Sequence, residues 1–478
     1  MTEIATSHAP DVLAVKRLLP WLVAVAFFME SLDTTILNTA VPAIADSLHV
    51  VPLSIKSVLS SYTLSVAVFV PVSGWLADRF GTRHVFSAAI GIFVLGSLLC
   101  GLSGNIHILV ACRVLQGLGG AMMVPVGRLT IVRTFPKAEL VRAMSFVAIP
   151  ALIGPMLGPV LGGFLVHYLH WRMIFFVNLP IGLTGLYMVF RHLPDYRTPD
   201  SPPLDWPGLI LFSSGIALLS YVLEVFGEHS LDNEMILLCL AVSVALLGLY
   251  GRHSARVARP LLKLALFRTR TFRVSVICSL VTRLGAGGVP FLLPLLYQVG
   301  LGYSPVQSAL LIVPQPLAAM SLKMCVPLIL GRLGYRNVLA INTVMMGSLI
   351  ILFSTVGLET PVWMILVQAF MFGFCSSLQY SSMNTLVYAD IADADASKAS
   401  TIASTTQQMS MSFGVATASL TAAFFIPDRF HSQAPELIHG IHQAFVAVGG
   451  LTLLSTLVFA GLRRTDGAVV SHQNAQMA

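Results

Sequence analysis

The sequence predicts an all-α integral membrane protein made of two six-helix bundles with two additional helices between them. Three observations support this prediction. Apolar residues make up 56% of the 478-residue chain and charged residues only 10%, whereas soluble domains carry roughly 25% charged residues. The apolar residues form runs of about 20, the length of a helix that crosses a bilayer. Finally, residues 79–85 return 253 positions later as residues 332–338, which indicates a duplicated unit.

The apolar runs predict fourteen membrane spans, near residues 20–44, 56–77, 85–104, 108–132, 143–168, 171–190, 207–226, 234–251, 271–297, 305–330, 338–357, 361–387, 400–426 and 440–462. Short alternating strands, which a membrane barrel needs, are not found. The first span lacks a small-residue cleavage site and other spans follow it. We therefore interpret it as a retained anchor and not as a signal peptide.

The spans divide most simply as six, two and six. A polar, proline-rich stretch follows the sixth span, and a basic linker follows the eighth. We expect an N-terminal bundle over residues 1–192, a linker with two additional spans over 193–270, and a C-terminal bundle with its tail over 271–478. An even number of spans places both termini on the same side of the membrane.

The distribution of basic residues predicts that this side is the cytoplasm. With the N-terminus inside, 21 of the 28 Lys and Arg residues lie in cytoplasmic segments and three lie outside. The opposite orientation would violate the positive-inside rule. We expect a multi-pass membrane protein with both termini in the cytoplasm. The net charge of +7 follows from this topology. The sequence does not predict a nucleic-acid partner, because it lacks a basic groove with interleaved aromatic residues.

The sequence does not indicate an enzyme, a metal site or a bound cofactor. The six cysteines occur singly, and the histidines lack the carboxylate or third ligand that a zinc site needs. HExxH, GxSxG and Walker-type nucleotide motifs are absent from the sequence. We therefore expect an ion gradient to supply the driving force.

Two acids in the first span are candidates for proton coupling. Glu30 and Asp33 are three residues apart and lie close together on the helix surface. An ionised carboxylate in hydrocarbon costs several kcal/mol, so such a group is suited to bind and release a proton. Arg113 in the fourth span lies at a similar depth by residue count and is within reach of an ion pair with Asp33.

The loop between the second and third spans predicts a conformational latch. Asp78 is able to pair with Arg79, with Arg83 or with a neighbouring helix, while Gly74 is expected to let helices approach closely. Gly81 belongs to the repeated segment. The second copy has Gly331 where the first has Asp78, so the acid of the latch is present once.

The fifth span carries glycines at intervals of four residues, which predicts a smooth stripe for close helix packing. We expect this dry seam to oppose proton leak between the two halves, with two prolines bending the helix. The residues of this helix that we assign are Gly154, Pro155, Gly158, Pro159, Gly162 and Gly163. Elsewhere we expect Gln116, Arg283 and Lys323 to line a cavity, because polar residues inside spans face a cavity or a partner.

Several of these segments resemble a known family. Residues 74–83 resemble the signature loop of the major facilitator superfamily, although Thr82 and His84 depart from its more basic ending. Residues 32–42, 113–120, 154–163 and 171–180 are similar to motifs of its fourteen-span drug:proton antiporters of the EmrB/QacA type. The resemblance implies the major facilitator fold, and proton-driven export of amphipathic small molecules by alternating access.

A second interpretation stays open at this point. The in-span cations Arg113, Arg283 and Lys323 outnumber the acids Glu30 and Asp33. The chain is therefore also compatible with a proton-coupled carrier of a small anionic metabolite. Some members of the family that it resembles work with a periplasmic adaptor protein, and the sequence leaves open whether this chain has such a partner.

Overall fold

The structure, a computed structural model, describes residues 12–135, 137–197, 203–226, 233–322, 325–392, 395–426, 434–459 and 461–462. These residues form helices and contain no β-strand. The α-helices are α1 (Val12–Ser47), α2 (Lys56–Phe80), α3 (Thr82–Leu102), α4 (Ile106–Thr134), α5 (Lys137–Tyr168), α6 (Met173–Phe176), α7 (Asn178–His192), α8 (Trp206–Phe226), α9 (Asn233–Arg256), α10 (Arg270–Ala286), α11 (Val289–Pro294), α12 (Pro305–Ile312), α13 (Pro314–Leu322), α14 (Val326–Leu352), α15 (Val362–Leu386), α16 (Ala396–Phe425), α17 (Ala434–Leu454) and α18 (Thr456–Phe459). A π-helical segment, Leu295–Gly300, follows α11.

Twelve helical segments of the described chain are long and apolar enough to cross a membrane. They coincide with twelve of the fourteen predicted spans, so the prediction of a multi-pass, all-helical membrane protein is confirmed. The remaining two predicted spans correspond to α5 and α16, which are 32 and 30 residues long. α16 is rich in Ser, Thr and Gln, which lowers its hydropathy.

The two halves of the chain share an apolar core at one end of the bundle. Buried residues between positions 36 and 59 pack there with buried residues between 286 and 311, with residues 418–426, and with residues 441–448 of α17. We call this the shared-core end. Away from it, the described residues form one core within the first half, one within the second, and one that joins the additional helices and their linker to α10 and α16. The largest core shared by the two halves is therefore the one at the shared-core end.

Hydrogen bonds between the halves also lie near the shared-core end. Ser60 on α2 and Ser412 on α16 each donate to the other's carbonyl oxygen, at 3.3 and 3.2 Å. Gln298 donates to the carbonyl oxygen of Thr39 on α1 at 3.0 Å. Side-chain hydrogen bonds between helices are favourable in an apolar interface, so polar as well as apolar contacts join the halves at this end.

The repeated segments form the same kind of turn at the opposite end, which we call the loop end. Gly81 has φ 94° and ψ 144°, and Gly334 has φ 71° and ψ 158°. An L-residue with a side chain rarely adopts a positive φ of this kind. The turn therefore explains why both copies keep the glycine. It also breaks α14 at the point where the sequence predicts the boundary between the tenth and eleventh spans.

The two additional helices, α8 and α9, pack mainly against each other, and α8 also contacts α2 and α16. The linker after α9 is fixed at the loop end, where Lys263 contacts both carboxylate oxygens of Asp395 at 2.8 Å. The ammonium groups of Lys263 and Lys398 lower the pKa of the Asp395 carboxyl. This linker therefore connects the additional helices to the loop before α16.

Candidate functional site

Asp33 lies inside the first half and is enclosed by three donors from other helices. Arg113 Nη1 on α4 lies 2.6 Å from Asp33 Oδ2. Gln116 Nε2 and Asn178 Nδ2 each donate to Asp33 Oδ1 at 2.9 Å. Asp33 and Arg113 are both only 1% exposed. The structure thus brings together the acid and the arginine that the sequence singles out, as a fully buried ion pair.

Arg113 is held by further contacts. Its Nη1 also lies 2.6 Å from Gln116 Oε1, and its Nε donates to the Val58 carbonyl oxygen at 3.4 Å. The guanidinium carbon lies 4.5 Å from the ring centre of Tyr62. A buried ion pair is tolerable only when its remaining donors and acceptors are satisfied. These contacts satisfy donors of Arg113 beyond the one bound to Asp33, and they remain available to Arg113 when Asp33 is neutral.

Two members of this network were not assigned to it from the sequence. Gln116 was expected to line a cavity, and this is wrong, because it is 0% exposed and is bonded to both Asp33 and Arg113. Asn178 belongs to the motif of residues 171–180, whose resemblance does not indicate a contact with Asp33. It also donates to Ser97 Oγ at 3.1 Å, so it ties α7 to α3 as well as to Asp33.

Glu30 occupies a different environment from Asp33. It is partly exposed, as are Thr34 and Asn38, which follow it on α1 at intervals of four residues. Such spacing places the three on one face of the helix. Among the described residues, Glu30 has no hydrogen bond or ion pair. The site therefore contains one carboxylate saturated with donors and a second, one helical turn nearer the loop end, that is accessible.

The glycine stripe of α5 packs against α1. Added Cβ atoms at the three stripe positions would clash with hydroxyl-bearing residues of α1, in the pairs Gly154–Ser31, Gly158–Thr35 and Gly162–Thr39. The predicted close packing therefore exists, between α5 and α1. Both helices belong to the first half, so the prediction that the stripe packs between the two halves is wrong. The neighbouring Gly163 does contact the second half, where its Cβ would lie 2.7 Å from the Pro305 carbonyl oxygen.

On α1, the side chains that contact the glycine stripe of α5 and the side chain of Asp33 lie on adjacent faces. Ser31, Thr35 and Thr39 face α5, whereas Asp33 faces α4 and α7. α5 remains one helix through Pro155 and Pro159. A tilt of α1 relative to α5 would therefore change the environment of Asp33 directly.

The predicted latch pairs with a neighbouring helix. Asp78 accepts from Arg133 Nη2 at the end of α4, at 2.6 Å. Gly74 is exposed, and an added Cβ would meet no described atom within 4 Å. The expectation that Gly74 permits a close helix contact is therefore wrong, because no helix of the described chain approaches it. Arg79 is exposed as well.

The loop after Gly81 is clamped by residues 193–197, which follow α7. Arg83 Nε donates to the Leu193 carbonyl oxygen at 2.5 Å, and its backbone N donates to Asp195 Oδ1 at 3.1 Å. The Thr82 hydroxyl donates to the Pro194 carbonyl oxygen at 3.1 Å. Arg83 is thus engaged with this segment and not with Asp78. This clamp could not be predicted from the sequence, because the residues that it joins are 110 or more positions apart.

Of the two cations predicted to line a cavity in the second half, the structure describes Arg283. Arg283 on α10 is 5% exposed, and its guanidinium carbon lies 3.8 Å from the ring centre of Tyr380 on α15. Its Nε donates to Ser279 Oγ at 3.2 Å. Lys323 lies outside the described residues. Within the described chain, no group of His, Cys, Asp and Glu residues is arranged to hold a metal ion.

Comparison with known proteins agrees with this architecture. Residues 23–415 match the family model of the Major Facilitator Superfamily. The chain is 42% identical over 426 residues to the "putative multidrug resistance protein MdtD" of Serratia proteamaculans (strain 568), covering 89% of this chain and 88% of the relative. It is 40% identical over 440 residues to the protein of the same name from Salmonella typhi, covering 92% and 93%.

Solved structures with the same fold have distant sequences. A D-xylose-proton symporter superposes with a TM-score of 0.69 at 15% identity, covering 96% of this chain and 99% of the symporter. A POT family transporter bound to a thioalcohol-conjugated peptide has a TM-score of 0.69 at 16% identity, covering 96% of each chain. The match over residues 23–415 and the relatives at 40% identity or more confirm the resemblance seen in the sequence: the chain belongs to the Major Facilitator Superfamily and is a membrane transporter, not an enzyme.

Proposed function

We propose that this transporter exports amphipathic small molecules, including toxic compounds, in exchange for protons. The observation that carries the proposal is the buried pair of Asp33 and Arg113, with every donor around the carboxylate supplied by α4 and α7. The names of the MdtD relatives, "putative multidrug resistance protein", support export of drugs. A nucleotide site is not required for such an exchange, because the proton gradient supplies the energy.

The orientation of the chain follows from its basic residues. The positive-inside rule places the loop end, with Arg79, Arg83 and Arg332, on the cytoplasmic side of a bacterial inner membrane. Both termini are then cytoplasmic. Counting α5 and α16 with the twelve long apolar segments gives fourteen spans, arranged as bundles over 1–192 and 271–478 with a two-span insertion over 193–270. The shared-core end then faces outward, and we assign this arrangement of the halves to the inward-facing state of the cycle.

The ion pair supplies the proton-binding group of the exchange cycle. In the inward-facing state Asp33 is ionised and bound to Arg113, Gln116 and Asn178. Protonation from the outside removes the charge of Asp33 and releases its hold on Arg113, which keeps its contacts with Gln116, Val58 and Tyr62. Since the pairings differ between the two protonation states, proton binding shifts the equilibrium between conformations. The proton leaves when the pair forms again.

Glu30 completes the pathway to the cytoplasm. It lies three residues before Asp33, or about 4.5 Å closer to the loop end at 1.5 Å per residue. Because Glu30 is partly exposed and has no ion-pair partner among the described residues, it can accept the proton from the buried site and pass it to solvent. Asp78 and Arg133 act at a distance from this pathway by holding the ends of α2 and α4 together in the inward-facing state.

Transport by inverted membrane vesicles tests the proposal. The panel is tetraphenylphosphonium, norfloxacin and 2-naphthoate, which represent a cation, a zwitterion and an anion. We expect at least one compound to accumulate when the vesicle interior is made acidic, and nigericin with potassium to abolish this accumulation by collapsing the pH gradient. Accumulation driven by a sodium gradient at uniform pH, or no response of any compound to the pH gradient, would contradict proton exchange.

A further inference from the structure

Arg283 is a buried cation that the proposed exchange cycle does not use. It lies near the middle of the helical segment Arg270–Gly300. Within the described part of the chain, its guanidinium makes a hydrogen bond with Ser279 and lies over the ring of Tyr380. Among the described residues, no carboxylate lies within 4 Å of its guanidinium group. Arg113, by comparison, is equally buried but has Asp33 as its counter-ion.

A buried guanidinium without a carboxylate partner favours the binding of an anion beside it. The group has five N–H donors, and Ser279 takes one. Burying a cation without a counter-charge is costly, and charged residues within spans therefore mark substrate or ion pathways. Guanidinium groups bind carboxylate, sulfonate and phosphate oxygens through two parallel hydrogen bonds. A lipid headgroup cannot supply the anion, because Arg283 lies at mid-span depth.

The position of Arg283 corresponds to that of Glu30. The 253-residue offset between the repeated segments maps residue 30 onto residue 283. Each residue is thus a charged group within the first span of its half. Ser279 and Tyr380, the two side chains that contact Arg283, are partly exposed, as Glu30 is. The two halves present an acid and a base at equivalent positions.

The backbone beside Arg283 is held rigidly. A Cβ at Gly414 on α16 would lie 2.6 Å from the Arg283 carbonyl oxygen and 3.1 Å from the Cα of Gly287. α10 and α16 are therefore in direct backbone contact at this level. This contact holds the backbone of Arg283 in place, and the Tyr380 ring restricts the orientation of the guanidinium plane. The remaining N–H donors are therefore preorganised for a ligand.

We propose that Arg283, Tyr380 and Ser279 form a binding site for the anionic group of an amphipathic substrate, a carboxylate or sulfonate attached to an aromatic or aliphatic body. The guanidinium binds the anionic oxygens, Ser279 orients the guanidinium, and Tyr380 stacks against it. The inference deepens the proposed function by naming a substrate class, and it rests on that function only in calling the ligand a substrate.

Equilibrium binding to the purified full-length protein tests this site. Tritiated 2-naphthoate and its uncharged analogue 2-naphthamide are compared by scintillation proximity at constant pH. We expect the wild type to bind naphthoate more tightly than naphthamide. Arg283→Gln should weaken naphthoate binding by roughly tenfold or more, the size expected for one charge-assisted hydrogen bond. It should have little effect on naphthamide binding. Arg283→Lys keeps the charge but not the planar fork, so it should fall between the two. Tyr380→Phe should keep most of the affinity.

Arg172→Gln is the matched control, because Arg172 also lies over an aromatic ring, Trp171, at 5.2 Å but is at the shared-core end. It should leave naphthoate binding unchanged. Equal binding of both compounds by the wild type, or full affinity in Arg283→Gln, would overturn the proposal. If Arg283→Gln does not fold, Arg283→Lys is used in its place, and full naphthoate affinity in that variant would overturn the proposal. pH-driven transport of the other panel compounds is independent of this result, so a failure of the anion site is distinguishable from a failure of proton exchange.

Discussion

Replacing Arg113 by glutamine is expected to lower the free energy of unfolding by about 3–5 kcal/mol, because it leaves the Asp33 carboxylate buried without its counter-charge. Asp33→Asn should also destabilise, since Arg113 is then uncompensated. The double variant Asp33→Asn/Arg113→Gln should recover much of the loss, because it removes both buried charges. The four proteins are compared by reversible unfolding in mixed detergent micelles.

The pair of Asp78 and Arg133 is the control for this cycle. Its N···O distance is the same, 2.6 Å, but its side chains are 35% and 27% exposed, whereas those of Asp33 and Arg113 are 1% exposed. Exposed pairs contribute about 0–1 kcal/mol, so Asp78→Asn should cost far less than Arg113→Gln. Equal costs at the two sites would show that Asp33 is not the desolvated group that the exchange cycle requires.

Adding one methyl group at Gly158 is expected to have the second largest effect. The new Cβ would clash with the Thr35 hydroxyl and lie 3.1 Å from the backbone N of Ile36. Overpacking of this kind costs about 1–3 kcal/mol. Because the obstructing atoms belong to α1, Gly158→Ala should also push α1 away from α5 and disturb Asp33. We therefore expect reduced pH-driven transport together with a lower midpoint of unfolding.

Gly185→Ala provides the comparison, because a Cβ at Gly185 in α7 meets no described atom within 4 Å. Alanine in a helix is more favourable than glycine by about 1 kcal/mol, so this variant should be neutral or more stable. Combining Gly158→Ala with Thr35→Ala removes the clashing hydroxyl and should recover part of the stability. A neutral Gly158→Ala would mean that the α1–α5 contact is not as tight as the structure shows.

Much of the architecture could be predicted because it depends on local patterns. Long apolar runs fixed the helices, and the repeated Gly81 and Gly334 identified equivalent turns. The pair of Asp33 and Arg113 could be expected because each is a charge at similar depth in a span. The number of spans is harder to determine from hydropathy alone. In α16, Ser, Thr and Gln side chains lower the hydropathy of a helix that packs among other helices.

Contacts between distant segments could not be predicted in the same way. Gly74 carries no signal of its surroundings, and it proved to be exposed. The α5 stripe indicated close packing but not its partner, so its location within the first half was missed. The clamp on Thr82 and Arg83 depends on residues 193–197, whose sequence resembles an ordinary linker. Asn178 joins Asp33 only because α7 begins at the depth of the ion pair.

The most direct test of the account is proton movement by Asp33→Asn. The protein is reconstituted in liposomes that contain pyranine, and substrate and proton fluxes are recorded together for whichever panel compound the wild type transports. We expect the wild type to move protons against substrate, and Asp33→Asn to exchange substrate down its gradient with proton flux at the background level. Asp46→Asn, an exposed acid on the same helix, should behave like the wild type. Proton flux per substrate in Asp33→Asn equal to that of the wild type would contradict the assignment of Asp33 as the proton-binding group.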